Sequence, residues 1–300
     1  MGKNQRTSQG KKVKKMAIGT RMAISSLAAL LIATFSVTNA SNSDAELRSA
    51  LAAADTSSKP VVVYVSAPWC APCRTMKATT LSDSSVIDWL NSKVNFFQTD
   101  PTDSTGEFTP LAESLCVSGV PLLVTFGTGG KEIDRHYGAL DAKGFVAYLD
   151  DVIHDRNTLN DYLGRLEADG PRPVILAQLV AKFKDNCDLA NTEKYAKMLL
   201  SVDPANLAGY NPITLEILSN AQYTRADFDG YRNSLEMIVR DYPESRQARA
   251  AARSLVAYVE ELGDKPKAAE LLRAFVKKYP DERCRATDAW LFDLTGSTEY

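Results

Sequence analysis

The chain has 300 residues, which predicts about two domains, because a domain usually has about 100–200 residues. Hydrophobic residues make up 45% of the chain and charged residues 24%, the balance expected of a soluble globular protein. Seven of the 35 basic residues and none of the 37 acidic residues precede Ser41, so the rest of the chain has a net charge of −9. This acidic balance argues against a nucleic-acid surface.

Residues 1–40 have the pattern of an export signal. A basic region ends at Arg21, an apolar stretch runs from Ala23 to Val37, and Thr38-Asn39-Ala40 offers small residues for cleavage. The apolar stretch has about 15 residues, fewer than the ~20 that span a membrane. We therefore expect cleavage near Ser41 and a periplasmic or secreted mature protein in an oxidising compartment. Retention by an uncleaved signal is one alternative, and a later translation start at Met16 is another.

A helix and a strand are predicted next. The spacing of Leu47, Leu51 and Ala54 predicts an amphipathic helix over 43–55, and a β-branched run predicts a buried strand over 60–66. The strand leads directly into Trp69-Cys70-Ala71-Pro72-Cys73, which opens a helix predicted over 71–80. At a helix start, unpaired backbone N–H groups and the helix dipole would stabilise a Cys70 thiolate.

The Cys-x-x-Cys pattern has three possible meanings: a redox dithiol, half of a zinc site, or a structural disulfide. Zinc needs further ligands at suitable spacing, and the chain offers as histidines only His136 and His154. A structural bridge across two residues would be strained. The sequence therefore predicts a redox dithiol without metal or cofactor, in which Cys70 is the exposed nucleophile and Cys73 the buried resolving thiol.

The elements after the motif helix complete an α/β unit. We predict a short helix over 86–91, a strand over 94–100, a loop over 100–106 and a helix over 108–115. Strands over 122–126 and 132–137 are predicted to form a hairpin, followed by a helix over 141–153.

Two motifs in this unit carry a family resemblance. Trp69-Cys-Ala-Pro-Cys-Arg74 resembles the active-site motif of the thioredoxin superfamily, and Gly119-Val120-Pro121, which ends 48 residues after Cys73, resembles its cis-proline strand. The segment 81–90 is similar to the carboxy-terminal thioredoxin-like domain of the transmembrane thiol–disulfide reductant transporters. The resemblance covers about 43–155 and agrees with the predicted order β-α-β-α-β-β-α.

The resemblance also implies roles for residues around the dithiol. A cis bond before Pro121 would hold the Val120 backbone against the disulfide and leave it free to pair with a client's extended chain; a trans proline that begins a strand is the alternative. Trp69 would present a surface to the partner. The residues expected to tune the motif are Ala71, Pro72 and Arg74.

The chain departs from the family pattern at two places. Many thioredoxin-like reductases carry an acidic residue six positions before the nucleophile, where this chain has Tyr64. The transporter relatives place a carboxylate soon after the second cysteine, where this chain has Arg74 and Lys77. The sequence therefore shows no buried general base, whereas nearby positive charge favours the thiolate.

The remainder of the chain is predicted to be helical and repetitive. Val202-Asp-Pro204, Asp241-Tyr-Pro243 and Lys278-Tyr-Pro280 end three similar segments, with prolines 39 and 37 residues apart. The last segment has Gly263 at a turn, followed by Ala268, Leu272 and Pro280, and with these offsets it resembles a tetratricopeptide repeat. We expect an all-α, tetratricopeptide-like domain over 174–300 after a junction at 156–173, with an irregular helical bundle as the alternative.

Three cysteines lie outside the motif. Cys116 is five residues before Pro121, so it either lies near the dithiol or is a small buried hydrophobe. Cys187 and Cys284 are both expected at turns of the helical domain, where they could form a disulfide. Because the total is odd, at least one thiol lies outside any structural pair.

These observations predict an exported thiol–disulfide oxidoreductase that acts on cysteine-containing proteins, in the reductase or isomerase direction. An upstream thiol protein would supply electrons, and the helical repeats would hold a protein partner. The alternative is an interaction or adaptor protein whose thioredoxin-like domain is regulatory or vestigial.

Overall fold

The computed structural model describes residues 43–56, 58–102, 108–109, 112–113, 115–127 and 129–299. The expected export signal over 1–40 lies outside these residues, as does most of the predicted 100–106 loop. Of the predicted 108–115 helix, residues 112–113 are helical. Within the described ranges, we find no helix with the length and apolarity that a membrane span requires.

A mixed sheet forms the centre of the first half of the chain. Its strands lie in the order β2-β1-β3-β4, with β1 parallel to β2 and antiparallel to β3, and with β3 antiparallel to β4. Each strand lies within one residue of its predicted bounds. The strands are β1 (Val61–Val65), β2 (Asn95–Thr99), β3 (Leu122–Phe126) and β4 (Glu132–Tyr137).

Both faces of the central strand β1 are covered. Successive side chains of a strand point to opposite faces, so Val62 and Tyr64 enter one apolar cluster and Val61, Val63 and Val65 enter another. The helices of this half are α1 (Ser43–Thr56), α2 (Ala71–Thr79), α3 (Ser84–Lys93) and α4 (Ala142–Ile153). Helices α2, α3 and α4 supply residues to the first cluster.

The second half of the chain is helical. Its first helix, α5, occupies the region predicted as the junction, and its apolar side chains pack against the cluster formed by the next five helices. The helices are α5 (Leu159–Asp169), α6 (Pro173–Asp185), α7 (Leu189–Val202), α8 (Asn211–Thr224), α9 (Phe228–Asp241), α10 (Arg246–Glu261), α11 (Lys265–Lys278) and α12 (Arg285–Thr295).

Three helix pairs, α6–α7, α8–α9 and α10–α11, share one turn geometry. Each pair turns at a residue with positive φ, namely Cys187 (53°), Ala226 (60°) and Gly263 (86°). An aspartate follows each of these residues and caps the second helix by accepting a backbone N–H bond. Each second helix ends two residues before Pro204, Pro243 or Pro280, so the predicted period corresponds to repeated helix pairs.

A disulfide joins the two halves. Cys116, between the sheet strands, pairs with Cys187 at the end of α6, with Cα atoms 6.1 Å apart. The hypothesis that Cys187 pairs with Cys284 is therefore wrong. Five helices separate these two cysteines along the chain, and Cys284 is an exposed free thiol at the start of α12. Because Cys116 is disulfide-bonded and half-buried, the alternative that it is a simple buried hydrophobe is wrong.

Candidate functional site: a dithiol at the start of a helix

Cys70 and Cys73 form a disulfide at the amino-terminal end of α2, with Cα atoms 5.3 Å apart. The buried strand β1 ends five residues earlier and delivers the chain to this point, where Cys70 is the N-cap of the helix. The Cys73 backbone N–H donates to the Cys70 Sγ over 3.1 Å. Pro72 lies in the first turn, where an N–H group would have no intrahelical acceptor.

The structure corrects the expectation that Cys70 is exposed. Only 3% of Cys70 and 1% of Cys73 is accessible in the disulfide form. Both sulfur-bearing side chains pack with Ala67 and with the half-buried Val120. The disulfide holds Cys70 against Cys73, so exposure does not distinguish the two cysteines in this state. Nothing in the sequence indicated that Ala67 belongs to the site, apart from its position between β1 and the motif.

The segment opposite the disulfide contains a cis peptide bond. The bond lies between Val120 and Pro121, as the motif led us to expect. Pro121 is buried and β3 begins at the next residue, so the sheet fixes the position of this segment. The packing of Val120 on the two cysteines brings the two sequence motifs, 48 residues apart, into one site.

The remaining motif residues lie on the outer side of the site. Trp69 is 56% exposed, which is unusual for the largest apolar side chain. Ala71 and Pro72 are also exposed. Arg74 donates from Nη1 to the Pro68 backbone oxygen over 2.8 Å, so it braces the loop that carries Trp69.

Tyr64 lies six residues before Cys70, at the position where many thioredoxin-like reductases carry an acidic residue. It is completely buried, and its hydroxyl donates to the Cys73 backbone oxygen over 3.4 Å. Burial raises the pKa of Tyr64 to about 12. The hydroxyl therefore stays protonated near neutral pH, and Tyr64 supports the start of α2 without accepting a proton.

The arrangement permits disulfide exchange. The Cys70 sulfur is the one that lies at the helix start, where the backbone N–H of Cys73 and the helix dipole stabilise negative charge. A sulfur in that position attacks, or leaves, more readily as a thiolate.

Family models match a part of each half of the chain. Residues 47–153 match the model of a thioredoxin-like domain, and residues 247–282 match that of a tetratricopeptide repeat. The second match covers α10 and α11, one of the three helix pairs.

Curated relatives match the first half. The thiol:disulfide interchange protein DsbD of Pectobacterium atrosepticum is 38% identical over 107 residues, and that of Pseudoalteromonas atlantica 33% identical over 105 residues. These matches cover 35% and 34% of this chain and 18% of each relative, so the chain spans less than a fifth of the length of these relatives.

Solved structures match the same region. The reduced DsbD carboxy-terminal domain of Neisseria meningitidis is 26% identical, with 36% of this chain and 95% of that chain covered and a TM-score of 0.30. A thioredoxin of Thermus thermophilus is also 26% identical, with 35% and 82% covered and a TM-score of 0.31. The chain thus contains a thioredoxin-like domain similar to the carboxy-terminal domain of DsbD, followed by helices that include a tetratricopeptide repeat.

Proposed function

We propose that this protein is an exported thiol–disulfide oxidoreductase that acts on protein cysteines through Cys70 and Cys73, in the reductase or isomerase direction. The observation that carries the proposal is the Cys70–Cys73 disulfide at the start of α2, packed against Val120 of the cis bond. Similarity to thiol:disulfide interchange proteins supports the same chemistry.

The proposed cycle begins with the reduced dithiol. The Cys70 thiolate attacks a client disulfide, forms a mixed disulfide and releases one client thiolate, which takes up a proton. The Cys73 sulfur, deprotonated in this step, then attacks the Cys70 sulfur and releases the second client thiol. The client has gained two electrons and the chain is left with the Cys70–Cys73 disulfide. An upstream dithiol protein restores the dithiol and is itself oxidised.

Two surfaces would hold the client. Exposed Trp69 and the Val120 backbone flank the disulfide, so an extended client segment would lie across them. The helix pairs of the second half would hold a larger partner and raise the effective concentration of the dithiol at its target. Arg74 would act indirectly, by bracing the loop before the motif.

The proposal includes the division of the chain and its location. We assign 1–40 to a cleaved export signal, 43–155 to the catalytic domain, 156–173 to the junction and 174–300 to the helical domain. The basic and apolar pattern before Ser41 supports export to an oxidising compartment, in which Cys116 and Cys187 would pair.

Turnover tests the proposal against the adaptor alternative. We expect the purified chain, with dithiothreitol as electron source, to reduce insulin disulfides at a rate well above that of dithiothreitol alone. Binding of a client protein without turnover would instead support an adaptor with a vestigial dithiol.

Tyr64→Phe is expected to leave both the rate and its pH profile nearly unchanged. Because burial raises the Tyr64 pKa to about 12, its hydroxyl does not titrate between about pH 6 and pH 9. The variant loses one long hydrogen bond to the Cys73 backbone, worth about 1 kcal/mol at most. Insulin reduction measured across this pH range checks the expectation. A rate loss of about tenfold with a displaced pH profile would show that Tyr64 handles the proton.

A further inference from the structure

The disulfide between the halves lies where two helical segments end. Cys116 follows the turn at 112–113, and Val117 N–H bonds back to the Ala112 backbone oxygen. Cys187 ends α6 in the same way, with Asp188 N–H bonded to the Phe183 backbone oxygen. Both cysteines have positive φ, 59° and 53°, as expected of residues that end helices in this manner. The disulfide therefore joins the carboxy-terminal ends of two helical segments.

Arg135 of β4 forms a second connection between the same two helix ends. Its buried guanidinium directs Nη1 to the backbone oxygens of Leu115 (3.1 Å), Cys116 (3.2 Å) and Asp185 (3.3 Å), which lie on both sides of the disulfide. Glu132 neutralises the charge through two contacts of 2.6 Å. A cation between two helix ends is favourable, because both ends present unpaired carbonyl groups.

The segment that contains Cys116 continues along the chain to the dithiol. Tyr137 of β4 donates its hydroxyl to the Cys116 backbone oxygen over 2.7 Å and accepts a bond from the Ser118 N–H over 3.3 Å. Two residues after Ser118 comes Val120, which packs on Cys70 and Cys73. The segment 115–121 is thus fixed at one end by the disulfide and faces the dithiol at the other.

The two cysteines of this disulfide differ in accessibility. Cys187 is exposed, whereas Cys116 is half-buried. The Cys187 side of the disulfide is therefore the more open to a reductant, and attack on Cys187 makes Cys116 the leaving group. Exposed disulfides are the ones that exchange most readily with dithiol proteins.

We propose that Cys116–Cys187 is a second redox-active site, opened by dithiol proteins, whose state controls the mobility of the 115–121 segment beside the catalytic dithiol. One reductant thiolate attacks Cys187, the S–S bond breaks, and Cys116 leaves as a thiolate that takes up a proton. The second reductant thiol then displaces Cys187, so the reductant becomes a disulfide and the chain gains two thiols. The effect of this segment on clients rests on the proposed function. The opening of the disulfide does not depend on that function.

The decisive experiment measures amide hydrogen exchange in the full chain carrying Cys70→Ser, Cys73→Ser and Cys284→Ser. Cys116–Cys187 is then the one disulfide that dithiothreitol can open. On reduction we expect exchange in 115–121 and 185–189 to rise by about tenfold or more, because the cross-link no longer restricts local opening. Exchange in 61–65 and 265–278 is expected to stay unchanged. Adding Cys116→Ser and Cys187→Ser gives a matched control that dithiothreitol does not affect.

Three outcomes of that experiment would overturn the proposal. Unchanged exchange would mean that the bridge does not restrain the segment. A rise throughout the chain would make the bridge a structural cross-link for the whole fold. Alkylation of both cysteines before reduction would show that the bridge is not formed.

A second measurement concerns clients. In otherwise native chain, the Cys116→Ser and Cys187→Ser pair is expected to raise KM for a protein client by about fivefold, with kcat retained and a small disulfide unaffected. An unchanged KM would contradict the link to clients. If the native chain shows no turnover at all, the proposed function fails while hydrogen exchange still decides whether the second site exists.

Discussion

Cys70→Ser is expected to abolish both turnover and covalent capture of a client, whereas Cys73→Ser should leave the chain joined to its client. The Cys70 sulfur lies at the start of α2 and accepts the Cys73 N–H bond, so it is the sulfur best stabilised as a thiolate. Without it, disulfide reduction should fall on the order of a thousandfold, to the rate of the electron source alone.

Covalent capture separates the roles of the two cysteines. In Cys73→Ser the mixed disulfide still forms at Cys70, but no second sulfur resolves it. Gels run without reductant, followed by mass spectrometry of the captured proteins, would measure this and also identify clients. Cys284→Ser is the matched control, because it removes an exposed thiol far along the chain and should change neither result. Capture by Cys70→Ser in place of Cys73→Ser would reverse the assignment.

The burial of the oxidised site adds a requirement to this cycle. Cys70 is 3% accessible in the disulfide form, so any reductant must reach a sulfur covered by neighbouring side chains. Val120 is one of those neighbours, and it lies on the segment that the second disulfide restrains. One segment therefore covers the oxidised dithiol at one end and carries the second disulfide at the other.

The sequence predicted well what depends on local patterns. The β-branched run at β1 and the hairpin strands gave bounds within one residue, because such residues favour the extended backbone of a buried sheet. The helix ends before Pro204, Pro243 and Pro280 followed from the inability of proline to continue a helix.

Features that depend on distant residues were not predicted. Cys116 and Cys187 are 71 residues apart, and spacing alone cannot show that two helix ends meet. The exposure assigned to Cys70 was wrong because its packing depends on Val120, which the segment before β3 supplies. A signal did exist in β4: Asp134 and Arg135 are consecutive charges in a strand, so at least one had to face a buried side and need a partner.

The contact between β4 and α6 shows that the two halves are not independent. Asp134, with 1% of its side chain exposed, pairs with Lys182 of α6, and Tyr148 donates to the same carboxylate oxygen over 3.2 Å. The other carboxylate oxygen, Oδ1, is buried and has no hydrogen-bond partner among the described residues. Cutting the chain after Arg156 would remove Lys182 as well as Cys187, so truncation would test stability together with client binding.

Lys182→Met is accordingly expected to destabilise the fold by about 3–5 kcal/mol at neutral pH, because it leaves the Asp134 carboxylate buried without its cation. Methionine keeps most of the length of the lysine stem, so the loss reports on charge and not on packing. Lys197→Met is the matched control. Lys197 is 60% exposed in its ion pair with Glu193, and its loss should cost about 0.5 kcal/mol or less. Denaturant unfolding of both variants gives the comparison.

The pH dependence of the stability of Lys182→Met identifies the group that causes the loss of stability. Burial raises the pKa of Asp134, and the charge of Lys182 acts in the opposite direction. Removing Lys182 must raise this pKa further. A carboxyl whose pKa is higher in the folded state binds more protons there, so stability falls as pH rises above the ordinary value of 3.8. The deficit of Lys182→Met should therefore be full at neutral pH and shrink as the pH falls towards that value, and Asp134→Asn should largely remove it. A deficit that is constant with pH, or that grows in acid, would mean that an ionised Asp134 is not its cause.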